Sequence, residues 1–300
     1  MRSRSTRVSL IAAAVALVAG AGIATIGPAS AADAPTNFQS AYEYSVANPN
    51  ATPPGANNFG CPLSFLHPRP VVLVHGTFEN MYDNWGTMSP TLQAAGFCVF
   101  ALNYGSVDPT RTINGTGDIP TSAKELSAFI DQVLAKTGAS KVDIVGHSQG
   151  GMMPRYYIKN LGGASKVNKL IGLAPSNHGT TVAGLSNLLT SIPLAKSFID
   201  TQCPACSQQF AGSEFLTQLN AGGETDPAVK YTVIQTRYDE VVTPYTSAWL
   251  APASNVKNKL VQDMCPLDPV EHIGIAWDPL VIQQTMHELD SRLPAVVACL

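Results

Sequence analysis

The chain has 300 residues, of which 45% are hydrophobic and only 13% are charged, and its formal net charge is −3. This composition excludes an intrinsically disordered chain, which would combine many charges with few apolar residues. Because no run of lysine or arginine follows the first few residues, the chain lacks the basic patch of a nucleic-acid-binding protein, and no nucleic-acid partner is expected.

The N-terminal segment has the features of a secretory leader. Arginines precede an uncharged run over residues 8–27, and a proline with small residues follows at 28–32. This order predicts a signal peptide over residues 1–31, cleaved after Ala31 or Ala32, and a secreted, extracellular protein. The run is also long enough to span a bilayer, so a permanent membrane anchor is the alternative. Since no second stretch of that length follows, no stable membrane span is expected after cleavage, and residues 32–300 are expected to form one domain.

Short apolar runs alternate with helical patterns along the rest of the chain. Strands are predicted at about residues 70–74, 97–102, 142–145, 167–173, 229–236 and 259–261, and helices at about 85–95, 121–137, 152–161 and 277–289. Ser122 and Glu125 have the spacing of a capping box at the start of the second helix, and Gly138 would end that helix. Residues 32–60 show no period and predict an extended arm. Strands that alternate with helices indicate a mostly parallel sheet with helices on both faces, in a single α/β domain.

The most informative motif is Gly146-x-Ser148-x-Gly150, which follows an apolar strand and precedes a helical segment. In this context it is typical of a nucleophile elbow, a tight strand-to-helix turn that exposes a serine hydroxyl above the sheet. Small residues on either side of the serine avoid a collision with the neighbouring strand and helix, and the helix N-terminus stabilises negative charge that develops nearby. The alternative is an ordinary glycine-rich turn with a surface serine. The flanking strand and helix favour the elbow, with Ser148 as the nucleophile.

Three motifs together resemble a known fold. They are His75-Gly76-Thr77 after the first strand, Gly-His-Ser-Gln-Gly-Gly at 146–151, and the segment Leu173–Gly179 after the next strand. With them the chain resembles the α/β-hydrolase fold and, more narrowly, the secreted bacterial triacylglycerol lipases of the class 2 family, and it is also similar to the fungal lipase B type. The resemblance runs from about Pro70 to Leu289. The motifs are specific to the fold but not to a substrate.

A serine nucleophile needs a general base, and in this fold the base comes last along the chain, after the acid. Two histidines follow the serine by a wide margin. His287 falls inside the last predicted helix, which favours a structural role. His272 lies in a loop after the last predicted strand, where the active sites of open α/β sheets gather. His272 is therefore the predicted base.

The predicted acid is Asp239, which follows the strand at 229–236. The resemblance also assigns the segment Asp-Glu-Val-Val at 239–242 to the catalytic acid. Asp263, after the last strand, is the alternative. The non-catalytic alternative for Asp239 is a loop carboxylate paired with Arg237.

Two backbone N–H groups are expected to form the oxyanion hole. One belongs to Gln149, the residue after the nucleophile. The resemblance assigns the other to Thr77, with Phe78 as the alternative. No cofactor and no metal ion are expected.

All six cysteines follow the predicted leader, and an even number in an exported chain indicates three disulfides. Six cysteines allow fifteen pairings, and their places along the predicted fold favour Cys61–Cys98, Cys203–Cys206 and Cys265–Cys299. The first would pin the N-terminal arm to the sheet, and the last would tether the tail beside the loop of the base. The C-x-x-C spacing of the second pair also suits a redox site or a zinc ligand pair. Polar loop residues surround it instead of the helix that a redox thiol needs, so a structural disulfide is predicted.

Residues at about 180–210 form a long segment with little charge, in which Val182, Leu185, Leu188 and Leu189 fall on one helical face. This face suits either a buried helix packed on the sheet or a mobile cap that lines the pocket and meets a lipid–water interface.

These features predict a serine carboxylic-ester hydrolase, in the first place a triacylglycerol lipase or long-chain esterase that forms an acyl-enzyme on Ser148. A polyester or cutin-type esterase and an acyltransferase would use the same triad and are alternatives. A catalytically silent binding protein is the non-enzymatic alternative. The expected partner is a lipid or other ester substrate, and a monomer is expected.

Overall fold

The computed structural model describes residues 35–106, 112–192, 203–295 and Cys299. The predicted signal peptide and residues 193–202 of the predicted cap lie outside the described residues. In the described ranges, none of the helices has the length and apolar character that a bilayer span requires.

The centre of the molecule is a parallel sheet. The described residues form six strands: β1 Val71–Val74, β2 Val99–Leu102, β3 Val142–His147, β4 Val167–Leu173, β5 Lys230–Gln235 and β6 Val256–Leu260. They lie in the order β2-β1-β3-β4-β5-β6, and every neighbouring pair is parallel. Strands β1, β2 and β3 are buried along their whole length, as continuous apolar runs predict for strands covered on both faces. Each strand coincides with a predicted one, although β6 begins three residues earlier than expected.

Helices cover both faces of the sheet. In the described ranges they are α1 Phe38–Ala47, α2 Met81–Trp85, α3 Met88–Ala94, α4 Ile119–Thr137, α5 Gln149–Asn160, α6 Val182–Ser191, α7 Pro204–Gln208, α8 Glu214–Asn220, α9 Val261–Met264 and α10 Pro279–Leu289. Alternate residues of β1 face opposite sides, as the period of a strand requires. Val72 and Val74 pack with residues of α4 and α5, whereas Val71 and Leu73 pack with residues of α2, α3 and α10. The predicted α/β class, with helices on both faces, is confirmed.

Two local predictions are wrong, and a third has a different start. Residues 32–60 are not extended throughout, because α1 lies within them and the Asn37 side chain caps it by accepting from the Ser40 N–H at 2.9 Å. The helix predicted at 85–95 is present as α3, Met88–Ala94, but it begins three residues later, and a separate short helix, α2, ends at Trp85. The N-cap of α4 is Asp118 and not Ser122, since Asp118 accepts from the Thr121 N–H at 2.9 Å. Gly138 does end α4, with a φ of 71°.

Three disulfides join described residues: Cys61–Cys98, Cys203–Cys206 and Cys265–Cys299. These are the pairs that the sequence favoured. One premise needs a correction, since a short helix, α7, begins directly after Cys203 where the sequence indicated a loop.

Candidate active site

Ser148 is the single residue between strand β3 and helix α5. Its backbone has a φ of 53° and a ψ of −122°, a conformation that residues with a side chain rarely adopt. The Ser148 N–H donates to the Leu173 carbonyl at 2.9 Å, which holds the turn against the end of β4. A Cβ on Gly146 would overlap the Gly150 carbonyl, and a Cβ on Gly150 would overlap the Val74 carbonyl. The turn therefore holds Ser148 in a strained backbone conformation, and only glycine fits at positions 146 and 150.

His272 and Asp239 form a buried pair beside this turn. Asp239 follows β5, and His272 lies in the loop after α9. His272 Nδ1 is 3.0 Å from Asp239 Oδ2, and both side chains are 0% exposed. Asp239 Oδ1 accepts from the N–H groups of Val241 at 2.9 Å and Val242 at 2.7 Å. The carboxylate is thus oriented by its own loop, and a histidine held at Nδ1 in this way has Nε2 left for proton transfer.

Among the described residues, no hydrogen bond joins His272 to Ser148. His272 Nε2 is buried and makes no hydrogen bond with any described group. The imidazole nevertheless lies next to the elbow, because its ring centroid is 4.9 Å from that of His147, the residue before Ser148. Hydrogen bonds between a base and its nucleophile are often long without substrate. The structure therefore forms the His272–Asp239 hydrogen bond and places the His272 ring beside the residue that precedes Ser148.

Two opposing effects set the charge of His272. Burial disfavours the imidazolium, but the Asp239 carboxylate favours it through its charge and its hydrogen bond, and Glu79 and Glu240 add to that effect. The net result is that the pKa of His272 is raised above its ordinary value. This environment suits a base that becomes an imidazolium during the reaction.

The alternative candidates lie elsewhere. Asp263 is an exposed residue of α9. His287 lies in α10, with Nδ1 2.7 Å from the Leu293 carbonyl. In the described part of the chain, Asp239 forms its ion pair with His272 and not with Arg237. No group of three or more described His, Cys, Asp or Glu residues is placed to hold a metal ion.

Two backbone N–H groups next to Ser148 are candidates for binding an oxyanion. Gln149 is the first residue of α5, so its N–H has no partner inside the helix. The Phe78 N–H donates to the Asn114 carbonyl at 2.9 Å, which leaves Thr77 as the second candidate. Thr77 Oγ1 donates to Gln149 Oε1 at 3.1 Å, so the two candidates are linked.

Gln209 is a site residue that the sequence did not indicate. Its Nε2 donates to Thr77 Oγ1 and to Gln149 Oε1, both at 2.9 Å. Its Oε1 accepts from Ser176 Oγ at 2.8 Å. Gln209 therefore holds in place the side chains of both candidate oxyanion residues. No local motif marks it, because its partners come from distant parts of the chain.

A group of apolar side chains, here called the apolar cluster, lies beside the candidate triad. Its buried members are Tyr42, Phe78, Ile113, Leu188, Ile192, Val241 and Ile273. Phe78 follows Thr77, Val241 lies two residues after Asp239, and Ile273 follows His272. The loops that carry Thr77, Asp239 and His272 thus each contribute a residue to the apolar cluster.

Helix α6, in the predicted cap, is fastened to the loop after β5. Asn187 Nδ2 donates to the Glu240 carbonyl at 2.8 Å, and the Thr181 and Thr243 hydroxyl oxygens are 2.7 Å apart. On the predicted apolar face, Leu188 is buried in the apolar cluster. For the described residues of this segment, these contacts favour a packed helix over a mobile cap.

The order of the strands, the elbow after β3 and the acid–base pair at the carboxyl ends of later strands define an α/β-hydrolase fold. The solved structure of Aspergillus fumigatus lipase B is similar, with a TM-score of 0.65 and 23% sequence identity over 83% of this chain and 59% of that one. This likeness confirms the fold.

The class 2 lipase family matches residues 68–284, which is most of the chain. This chain belongs to the class 2 lipase family. Over 92 residues it is 40% identical to a triacylglycerol lipase of Pseudarthrobacter phenanthrenivorans, an alignment that covers 29% of this chain and 27% of that protein. It is 28% identical over 220 residues to lipase B of Pseudozyma antarctica, which covers 69% of this chain and 57% of that protein. The chain spans about a quarter of the length of two bacterial triacylglycerol lipases that it matches.

Proposed function

We propose that this chain is a carboxylic-ester hydrolase of the triacylglycerol lipase type. The observation that carries the proposal is the buried Asp239–His272 pair, with Nδ1 and Oδ2 3.0 Å apart, beside Ser148 in its strained turn. Membership of the class 2 lipase family and similarity to a triacylglycerol lipase support an ester as the substrate.

In the proposed reaction, Ser148 Oγ attacks the ester carbonyl carbon while His272 Nε2 takes the hydroxyl proton. The N–H groups of Thr77 and Gln149 bind the oxyanion of the tetrahedral intermediate. His272 then gives the proton to the departing alcohol, which leaves the acyl group on Ser148. Water repeats the sequence and releases the carboxylic acid. Asp239 holds the imidazole in the tautomer with a proton on Nδ1 and stabilises the imidazolium.

The apolar cluster is the proposed contact surface for the acyl chain. Apolar walls with a few polar groups are typical of small-molecule pockets. Tyr42 brings α1 into this surface, although α1 lies before the residues that match the family. The N-terminal helix is therefore proposed to help determine which acyl chains the enzyme accepts.

Export is a further part of the proposal. Residues 1–31 are proposed to be removed as a signal peptide, and residues 32–300 to form the secreted catalytic domain. Three disulfides support an oxidising compartment. N-terminal sequencing of protein from the culture medium tests this, and a chain that begins at Ala32 or Asp33 is the expected result.

The activity is tested with a triacylglycerol emulsion and with p-nitrophenyl esters of increasing acyl length, using the wild type and Ser148→Ala. Wild type is expected to hydrolyse both, and a phosphonate ester is expected to label Ser148. Ser148→Ala is expected to do neither. A folded wild type that cleaves no ester refutes the proposal. Preference for a polyester, or an ester product that exceeds the free acid in water, would instead identify the esterase or acyltransferase alternatives.

A further inference from the structure

A second carboxylate–imidazole pair lies buried behind the candidate triad. Glu79 Oε2 is 2.9 Å from His147 Nδ1, and both side chains are 1% exposed. Neither residue has a role in the reaction proposed above. Burying two such groups is costly unless they are paired and hydrogen-bonded, so their contacts identify what the pair does.

Each member of the pair contacts a different part of the site. Glu79 Oε2 accepts from the Gly76 N–H at 2.8 Å, which fixes the loop that carries Thr77. His147 Nε2 is 2.9 Å from the carbonyl oxygen of His272. His147 also directly precedes Ser148. The pair thus connects the oxyanion loop, the elbow and the backbone of the base.

The positions of the protons follow from these contacts. A carbonyl oxygen is an acceptor, so His147 Nε2 must carry a proton to donate to His272. His147 Nδ1 and Glu79 Oε2 lie too close to be two acceptors, so they share a second proton. Burial raises the pKa of Glu79, but the charge and hydrogen bond of His147 outweigh it, and the net pKa of Glu79 is lowered. Glu79 is therefore the member of the pair that favours the carboxylate form.

Asp83 provides a natural comparison. It is a buried carboxyl in α2, and burial, reinforced by the negative charge of Glu79, raises its pKa well above the ordinary range. The pKa values of the two buried carboxyls are therefore shifted in opposite directions, and Glu79 is the one that favours the charged form.

We propose that Glu79 and His147 are positioning residues that hold the oxyanion loop and the loop of the base in register with Ser148. This inference rests on the proposed ester hydrolysis. His272 must stay aligned while its ring gains and loses a proton. The hydrogen bond from His147 Nε2 to the His272 backbone carbonyl restrains His272 without contacting its Nε2, the atom that takes the proton. A misplacement of about 1 Å can cost about 100-fold in rate, which sets the scale of the expected effect.

The first test is Glu79→Gln, which keeps the shape and an oxygen for the Gly76 N–H but removes the charge. The matched control is Asp83→Asn, a similar change at a neighbouring buried carboxyl whose pKa is raised and which contacts neither His147 nor the Gly76 N–H. With a short-chain p-nitrophenyl ester, Glu79→Gln is expected to lower kcat about 10- to 100-fold and to change KM less than about twofold. Asp83→Asn is expected to keep the wild-type kcat.

The second test replaces His147 by Gln or by Leu, so that only Gln keeps a donor for the His272 carbonyl. His147→Gln is expected to retain a kcat at least about tenfold above that of His147→Leu, because the restraint on His272 is rebuilt. This pair decides the matter if Glu79→Gln does not fold. Wild-type kcat in Glu79→Gln, equal losses in Glu79→Gln and Asp83→Asn, or equal kcat in the two His147 variants would overturn the inference. A wild type without esterase activity would instead refute the proposed function.

Discussion

Replacing Ser148 by glycine should stabilise the protein relative to Ser148→Ala, while both variants lose activity. The reason is the backbone conformation of Ser148, with its φ of 53° and ψ of −122°. Such a conformation is about 1–3 kcal/mol less favourable for a residue with a Cβ, whereas glycine adopts it without strain. Alanine keeps the Cβ and therefore keeps the strain.

The size of the effect follows from two opposing contributions. Glycine relieves strain of about 1–3 kcal/mol, but it also gives the unfolded chain more freedom, which costs about 0.4–1 kcal/mol relative to alanine. The free energy of unfolding of Ser148→Gly should therefore exceed that of Ser148→Ala by about 1 kcal/mol. For a chain of this size, that difference corresponds to about 2 °C in Tm.

Urea unfolding under non-reducing conditions measures this difference through the midpoint and the slope. Ser89 provides the control, because it is buried in α3 with ordinary helical backbone. There the order should reverse, since glycine in a helix is about 1 kcal/mol less favourable than alanine. If Ser148→Gly is no more stable than Ser148→Ala while the Ser89 pair behaves as expected, the elbow is not strained and this reasoning is wrong.

Asp239→Asn should lower kcat by about 10⁴-fold, because asparagine favours the wrong imidazole tautomer, as in a serine protease triad. Asp263→Asn should keep the wild-type kcat. The opposite pattern would identify Asp263 as the acid. The effect of the Asp239 carboxylate on His272 exceeds that of burial, so the pKa of His272 is raised above the ordinary pKa of histidine. As the pH falls through this raised pKa, His272 becomes protonated and can no longer act as a base. A plot of kcat/KM against pH should therefore have its acidic midpoint above about 6.5, and a midpoint below about 6 would contradict the assigned environment. Replacing both Cys61 and Cys98 by alanine removes a disulfide between residues 37 positions apart. Because the disulfide restricts the unfolded chain, its loss should lower the free energy of unfolding by about 4 kcal/mol, measured by urea titration. A loss below about 1 kcal/mol would contradict this estimate.

The sheet was predictable because its strands are buried on both faces. A continuous apolar run such as Val71–Val74 is typical of a strand buried on both faces of a sheet. The glycine–serine motif after β3 predicts that β3 ends in a tight turn into a helix. Once the strands are placed, the loops at their carboxyl ends must lie at the same edge of the sheet. For this reason the order of residues along the chain was enough to predict Asp239 and His272. The hydrogen bond between these two residues is the expected result of that topology.

Helix α1 was not predictable because its stability does not come from its own pattern. The segment Phe38–Ala47 has no wide apolar stripe, and an isolated helix of ten residues is marginal in water. Its support is tertiary, since Tyr42 packs in the apolar cluster and Asn80 Nδ2 donates to Ser45 Oγ at 3.1 Å. A pattern confined to one segment does not contain these contacts.

The capping box at Ser122 shows a different reason for error. Its two residues have the right spacing, but each has another environment in the folded protein. Glu125 Oε2 accepts from the Gly105 N–H at 3.1 Å, and Ser122 is fully buried inside α4. Asp118 caps the helix instead, and Pro120 in the first turn suits a start at that point.

The same distinction separates the candidate triad from the residues that support it. A nucleophile elbow is a local structure, so the glycines that permit its strain must lie within a few residues of the serine and can be recognised together. Glu79 lies 68 residues before His147, and His147 lies 125 residues before His272. In the sequence, Glu79 is an acidic residue ahead of a short helix, a position that normally faces solvent. Its burial is tolerable because the nearby Gly76 N–H and Asn84 amide and the distant His147 imidazole all contact its carboxylate. The nucleophile of such a site can therefore be predicted from a local motif, and its acid and base from their order along the strands, whereas residues that align them become visible only when the fold has brought their partners together.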